Sequence, residues 1–246
     1  MTAPAGRRTA LVTGGSSGMG LAVAEFLAEE GYSLTICGRD VSRLRDARSH
    51  LEEAGAEVAE VSADLSEEGA AERVVEAHLS RYGGLDVVMA GAGFSRRATV
   101  AETHADSLRR LLTVHVESSF ALARAALPAL RRPPSGRPGW FIVMSSISAS
   151  WPVAGFAGYS AAKAALLSLA RSINAEEGDQ GVRACAICPA FVDTPLTAPL
   201  RGSVNREDML SPDDVVAAVR FLLSLSRSAS VGQLVIERVG AGTLSP

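Results

Sequence analysis

A chain of 246 residues, 47% of them hydrophobic, carries enough apolar surface for a substantial core, in one large α/β domain or two small ones. Its 24 basic and 27 acidic residues leave a net charge of −3, which makes no electrostatic case for nucleic acid or an anionic membrane as partner. Three cysteines (Cys37, Cys185, Cys188), an odd number without the spacing of a metal knuckle, speak against a disulfide framework and against a metal site, and for reduced thiols in a cytoplasmic setting.

The opening "MTAPAGRRTALVTGG" holds only a short apolar run and is no secretory signal. Strand-like and helix-like segments then alternate. Thr9 to Gly14 reads as a buried strand, and a helical pattern runs from Met19 to about Glu30, ending at Gly31. "YSLTICG" is a second strand, followed by a charged helix from Val41 to Ala54. "AEVAEVSAD" is a third, and Ser66 to Tyr82 carries a helical period. "LDVVMAGAG" is a fourth, and a long helical region spans Asp106 to Leu130, stopping at "RRPPSGRPG". "WFIVMSS" is a fifth strand, Gly158 to Glu177 a helix, and "VRACAICPA" a sixth strand. Ser211 is a candidate N-cap with Pro212 at the first helical position, and "GQLVIER" is the last strand.

Short continuous apolar strands separated by helices indicate a parallel sheet covered on both faces. Right-handed crossovers then give a doubly wound, seven-stranded, Rossmann-like sheet in three α/β/α layers. No linker or composition shift divides residues 1–246, so a single domain is expected. Stretches such as "AALLSLA" are too short to cross a bilayer. Pro195 to Leu210 is the longest stretch without periodicity and reads as a substrate lid.

"TGGSSGMG" (Thr13 to Gly20) closes the first strand and opens the first helix. Gly14, Gly18 and Gly20 let the backbone turn tightly and approach a diphosphate. With Ser16, Ser17 and Met19 they would present free N–H groups and a positive dipole end to it. The second strand ends in "CGRD", where a site selective for NAD would carry an acid for the ribose 2′-hydroxyl. Arg39 there suits a 2′-phosphate instead, with Arg43 one turn on, so NADP(H) is the expected cofactor. Asp64, followed by Leu65, ends the third strand; it either reaches the adenine or caps the next helix.

Lys163 is the only lysine among the 24 basic residues. It stands four residues after Tyr159 on a helical segment, so both side chains share one face. An ammonium beside a phenol favours the phenolate, and a phenol so tuned can pass a proton to or from a substrate oxygen. Composition bias is the other reading of a solitary lysine. Ser146, at the end of the fifth strand, lies where strand ends face a ligand crevice, with Ser145 and Ser148 as rivals.

Together "TGGSSGMG", the Ser146–Tyr159–Lys163 spacing and "CPAFVDTP" resemble the short-chain dehydrogenase/reductase family from Thr9 to about Val239. The resemblance implies that Tyr159 is the acid/base, that Ser146 polarises a carbonyl, and that Lys163 both tunes Tyr159 and binds the nicotinamide ribose. It implies that Pro189, Val192 and Thr194 hold the nicotinamide and diphosphate, and that the chain forms a homodimer or homotetramer through the helices near 106–130 and 158–177. Three positions depart from the family pattern. Ala90-Gly91-Ala92-Gly93 stands for Asn-Asn-Ala-Gly, leaving small residues beside the cofactor. Pro189-Ala190 stands for Pro-Gly. His115 stands for a helix Asn, where it either serves the proton relay, titrating near neutral pH, or merely packs. The other histidines, His50, His78 and His104, read as solvated.

"ISASWPVAGFAG" lies between Ser146 and Tyr159 and should line the substrate side. Ser148, Trp151 and Phe156, with Phe94 and Phe191, favour an apolar small molecule, while Arg201 and Arg206 in the lid leave room for an anionic tail. Three functions stand open. One is an NADPH-dependent ketone reductase, oxidising the alcohol in reverse. Another is a redox-neutral enzyme on the same scaffold (epimerase, dehydratase or cyclase). The third is a non-catalytic nucleotide sensor.

Overall fold

The computed structural model describes residues 6–198 and 205–240. In chain order the elements are β1 (Thr9–Thr13), α1 (Gly18–Glu29), β2 (Ser33–Gly38), α2 (Val41–Glu53), β3 (Val58–Ser62), α3 (Ala70–Tyr82) and β4 (Val87–Ala90). They continue with α4 (Ala105–Leu112), α5 (Ser118–Leu130), β5 (Gly139–Met144), α6 (Ala157–Glu177), β6 (Val182–Pro189), α7 (Pro212–Ser224) and β7 (Gln233–Ile236). The seven strands form one parallel sheet in the order β3-β2-β1-β4-β5-β6-β7. The doubly wound expectation holds.

Alternate strand residues face opposite layers, which is why the strands read as unbroken apolar runs. Ala10, Val12, Ile36, Met89 and Ile142 pack with Val23, Leu27, Leu44, Val215 and Leu222 of α1, α2 and α7. Leu11, Val88, Phe141 and Val143 pack with Val74, Leu122, Leu166 and Ile173 of α3, α5 and α6. Full burial of each of the Val, Leu, Ile, Phe and Met side chains contributes roughly 1.5–3 kcal/mol.

The chain reverses its winding between β1 and β4, so a crevice opens at their carboxyl ends. The Thr13 hydroxyl bridges the two strands there, accepting from Gly91 N at 3.2 Å and Ala92 N at 3.3 Å. Thr13 thus ties the end of β1 to the loop that leaves β4.

Several elements differ from the expectations. α3 starts at Ala70 rather than Ser66, because Asp64 engages Ser66 and Gly69 takes a left-handed φ of +73°. The long helix is interrupted by a π turn at Thr113–Glu117, centred on His115. His78 is not solvated: it is 0% exposed, because Val74, His78 and Tyr82 share the stripe of α3 that meets the sheet. Of the stretch read as a lid, residues 199–204, including Arg201, lie outside the described residues. Its two ends are pinned together by Leu210 N to Phe191 O (2.8 Å) and Asp193 N to Leu210 O (2.9 Å). Arg206 lies against Asp193 at 2.5 Å, so its charge is met by a carboxylate. Among the described residues no helix is long and apolar enough to cross a membrane.

Candidate active site

Gly14 (φ +71°) and Gly18 (φ +54°) turn the chain from β1 into α1. At Gly20 a Cβ would lie 2.2 Å from the Gly14 carbonyl oxygen, so only glycine lets the first helical turn sit on the loop. The amino end of α1 is bare. Ser17 at the N-cap makes no side-chain capping bond, and the first turn holds no acid. Its orphan N–H groups face a cavity of about 680 Å³ walled by Gly14, Ser16, Ser17, Arg39, Asp64 and Leu65. These donors, with Gly14, Gly15, Gly18 and Gly20 keeping Cβ atoms out of the turn at those positions, fit the diphosphate of a dinucleotide.

The far end of this cavity is electrically balanced. Arg39 is 3.8 Å from Asp64, and Arg43 Nε is 3.3 Å from Asp40. Asp64 accepts from the Ser66 hydroxyl (2.7 Å) and Ser66 N (2.9 Å), which hold its carboxyl below the usual range. It therefore closes a turn and walls the cavity at once. It does not cap α3, whose N-cap is Gly69, because the Ser66 turn holds its carboxylate five residues upstream of that cap.

A second cavity of about 120 Å³ continues past Gly18, Met19, Gly20, Gly91 and Thr194. A third, apolar and about 70 Å³, is walled by Ser146, Ser148, Phe156, Tyr159, Pro189, Phe191 and Val192, with Met19 and Thr194 shared. Leu196 walls all three. The cavities thus run in series from Arg39 past the end of α1 to Tyr159.

The three serines divide their work. Ser145 donates to the Lys163 carbonyl at 2.9 Å and is structural. Ser146 Oγ accepts from Ser148 N (3.2 Å) and Ser148 Oγ (3.0 Å), and its hydroxyl also meets Tyr159. Ser148 therefore supports Ser146 rather than competing with it.

Lys163 is 5% exposed; its Nζ donates to Met144 O at 2.7 Å and lies 5.4 Å from the centre of the Tyr159 ring. Lysine and tyrosine share a face as the spacing predicts. Their electrostatics differ from the expectation. Burial pushes the Tyr159 phenol up to about 12, with the Ser146 bond acting against it, and pushes Lys163 down to about 7. The ammonium sits beneath the ring and on a carbonyl, not on the hydroxyl, so desolvation outweighs any acidifying effect.

His115 is 2% exposed, and its Nε2 lies 2.8 Å from the Phe94 carbonyl oxygen. That oxygen can only accept, so Nε2 carries the proton and Nδ1 is left as a buried acceptor without a partner. The ring stacks on Phe94 and meets Tyr159 edge-on at 5.7 Å. Burial, with the charge of Lys163 second, pushes His115 down to about 3, so it does not titrate near neutral pH as expected. Gly93 makes room for it: a Cβ there would lie 2.3 Å from His115 Cε1.

Other placements depart from the sequence reading. Ala90 is buried within β4 and walls none of the three cavities, whereas Gly91 and Ala92 do. Phe94 walls the cofactor-side cavity, not the apolar one, because its ring is drawn onto His115. Trp151 walls neither. The 3₁₀ turn Ile147–Ala149 carries it past the cavity, with Trp151 N bonded to Ile147 O. Ser95, Leu196 and Thr197 were missed; they sit in aperiodic loops, and only the tertiary fold brings them to the cavity wall.

A family model described as short chain dehydrogenase matches residues 8–205. An uncharacterised oxidoreductase of Staphylococcus aureus (strain USA300) is 28% identical over 232 residues, covering 94% of this chain and 97% of its own. An alcohol dehydrogenase from the archaeon Thermococcus sibiricus, complexed with 5-hydroxy-NADP, superposes with a TM-score of 0.85 at 30% identity, covering 95% of this chain and 97% of that one. A short chain dehydrogenase from Burkholderia cenocepacia J2315 in complex with NADP gives 0.84 at 28% identity, covering 94% and 96%.

Proposed function

The chain belongs to the short-chain dehydrogenase family, and from that premise we propose that it reduces a ketone on a largely apolar small molecule with NADPH, and oxidises the alcohol in reverse. The observation that carries the reading is the series of cavities leading from Arg39, past the bare end of α1, to Ser146 and Tyr159. A nicotinamide cofactor supplies or takes the hydride when bound. Gly14, Ser16, Ser17 and Gly18 would hold its diphosphate, and Arg39 with Arg43 a 2′-phosphate. Two structural relatives crystallised with NADP or a derivative support that preference.

Ser146 and Tyr159 would receive the substrate oxygen. Ser148 aims the Ser146 hydroxyl, which donates to the carbonyl and draws charge onto its oxygen. A phenol held near 12 is protonated at neutral pH, so Tyr159 stands ready as a proton donor, the state reduction needs. Lys163, near 7, straddles neutrality and can hold or release a proton beneath the ring. His115 stays neutral and acts as a positioning residue. It fixes the Phe94 carbonyl and packs against the edge of Tyr159. The apolar walls Phe156, Phe191, Val192 and Leu196 favour a hydrophobic body around the reacting carbon.

Cofactor absorbance with a panel of ketones tests this. NADPH should disappear one for one with alcohol formed, and Tyr159→Phe should abolish the loss. Product formed with no net change in NADPH would instead mark a redox-neutral enzyme.

A further inference from the structure

Beyond the reacting end lies a second wall of charge. A cavity of about 500 Å³ opens between Arg39, Arg96, Ser107 and Arg110. It shares Ser95 with the apolar cavity and Phe94 with the cofactor-side one, so it adjoins both. Arg110 is held with its guanidinium 5.6 Å over the Phe94 ring. Among the described residues neither Arg96 nor Arg110 has a carboxylate within 4.0 Å. The one acid in the cavity wall, Asp106, is bound to Arg109 at 2.5 Å, and Asp64 is held by Ser66 and Arg39. Two unpaired guanidiniums and a serine hydroxyl on one wall make a site for an anion, and the planar fork of arginine suits phosphate best. Of Arg201 and Arg206, where the sequence left room for an anionic tail, Arg206 is met by Asp193 and Arg201 lies outside the described residues.

We infer that the substrate carries a phosphate-bearing tail, held by Arg96 and Arg110 while its ketone lies at Ser146 and Tyr159. This rests on the ketone-reductase reading above. The tail passes over Ser95, the residue common to the two cavities.

Two β-keto thioesters with the same reacting end separate the terms: acetoacetyl-coenzyme A, which carries phosphates, and the acetoacetyl thioester of N-acetylcysteamine, which carries none. The wild-type protein should prefer the first at least tenfold in kcat/KM, less so at high salt. Arg96→Ala and Arg110→Ala should each cut that preference several-fold and together erase it. The uncharged thioester and the KM for NADPH should stay within about twofold, and Arg132→Ala, an exposed arginine that walls none of these cavities, should change nothing. No preference in the wild type overturns the inference. So does an equal loss for both thioesters, or a raised KM for NADPH, which would give the arginines to the cofactor. If neither thioester reacts but a neutral ketone does, coenzyme A must inhibit that turnover in wild type and not in the double variant; absence of inhibition sinks the tail site and leaves the reductase intact. If no ketone consumes NADPH, the reductase reading fails. Calorimetry of coenzyme A on the NADPH-loaded protein then still decides whether the anion site exists.

Discussion

The amino ends of α1 and α7 are finished in opposite ways. At α7, Ser211 accepts from Asp213 N at 3.1 Å, Asp214 accepts from Ser211 N at 2.8 Å, and two acids fill the first turn. At α1 nothing does: Ser17 caps with no side chain and the first turn has no acid. The two buried histidines repeat the contrast. His78 meets the Thr35 hydroxyl at 2.8 Å and the Gly84 carbonyl at 3.1 Å, whereas His115 has one nitrogen bonded and one bare. A sealed polar group contributes to the fold. An open one is a standing cost that only a ligand or a reaction can justify. If that distinction is right, closing an open group should stabilise the protein and harm its function, and breaking a sealed one should do the reverse.

The largest effect should come from Lys163→Met. The folded lysine sits near 7 against an ordinary value of 10.5, so between those values the unfolded chain binds a proton the folded one lacks. Wild-type stability should therefore rise with pH from about 7 to 10.5. Below pH 7 the cost of burying the charge is fully present, on the order of 5 kcal/mol before allowing for the lost Met144 bond. Denaturant melts should show the variant more stable at pH 6, the gap closing by pH 10.5, with turnover lost. A variant less stable at every pH would mean that Lys163 is sealed, not open.

Next is Ser17→Asp, which gives α1 the kind of cap that α7 has. NADPH affinity should fall about a hundredfold, close to 2.7 kcal/mol, while the fold gains about 0.5–1 kcal/mol. Unchanged affinity in a titration would show that the diphosphate does not lie at this helix end. The histidines come third. His78→Phe leaves two buried partners unmet and should cost about 2 kcal/mol with turnover intact. His115→Phe should cost less stability but cut turnover about tenfold at unchanged cofactor affinity, with His115→Asn restoring most of it. Equal behaviour of the two variants would erase the contrast.

The same contrast explains what could be read from the chain alone. Sealed elements leave a pattern. β1 and α1 announce themselves by an apolar run ended by Gly14, and α7 by Ser211 and Pro212. Tyr159 and Lys163 are legible because a helix forces residues four apart onto one face. His78 is equally legible, four residues after Val74 and four before Tyr82, but polarity alone assigns it to the surface. The open crevice leaves almost no pattern. Ser95 and Leu196 reach it from loops without a period, and the pin between Phe191 and Leu210 spans a stretch that looked unstructured. The π turn around His115 has no signature in hydrophobic spacing. Trp151 shows the converse error, since aromatic character alone could not tell which way one 3₁₀ turn would send the chain.

The smallest expected effect is the cleanest control on the comparison. Ser211→Ala removes one accepted N–H bond at α7 and leaves Asp213 and Asp214 to favour the helix dipole, so the loss should be about 1 kcal/mol. For a chain of this length that lowers Tm by about 2–4 °C. Ser17→Ala removes a hydroxyl that caps nothing and should move Tm by less than about 1 °C. Same residue, same helical position and same substitution leave only the hydrogen bond to account for the difference. Turnover should be untouched by the first and weakened slightly by the second, because only Ser17 walls the cofactor-side cavity. If the two variants lose equal stability, Ser17 caps α1 after all, and the free N–H groups on which the diphosphate site depends are already taken.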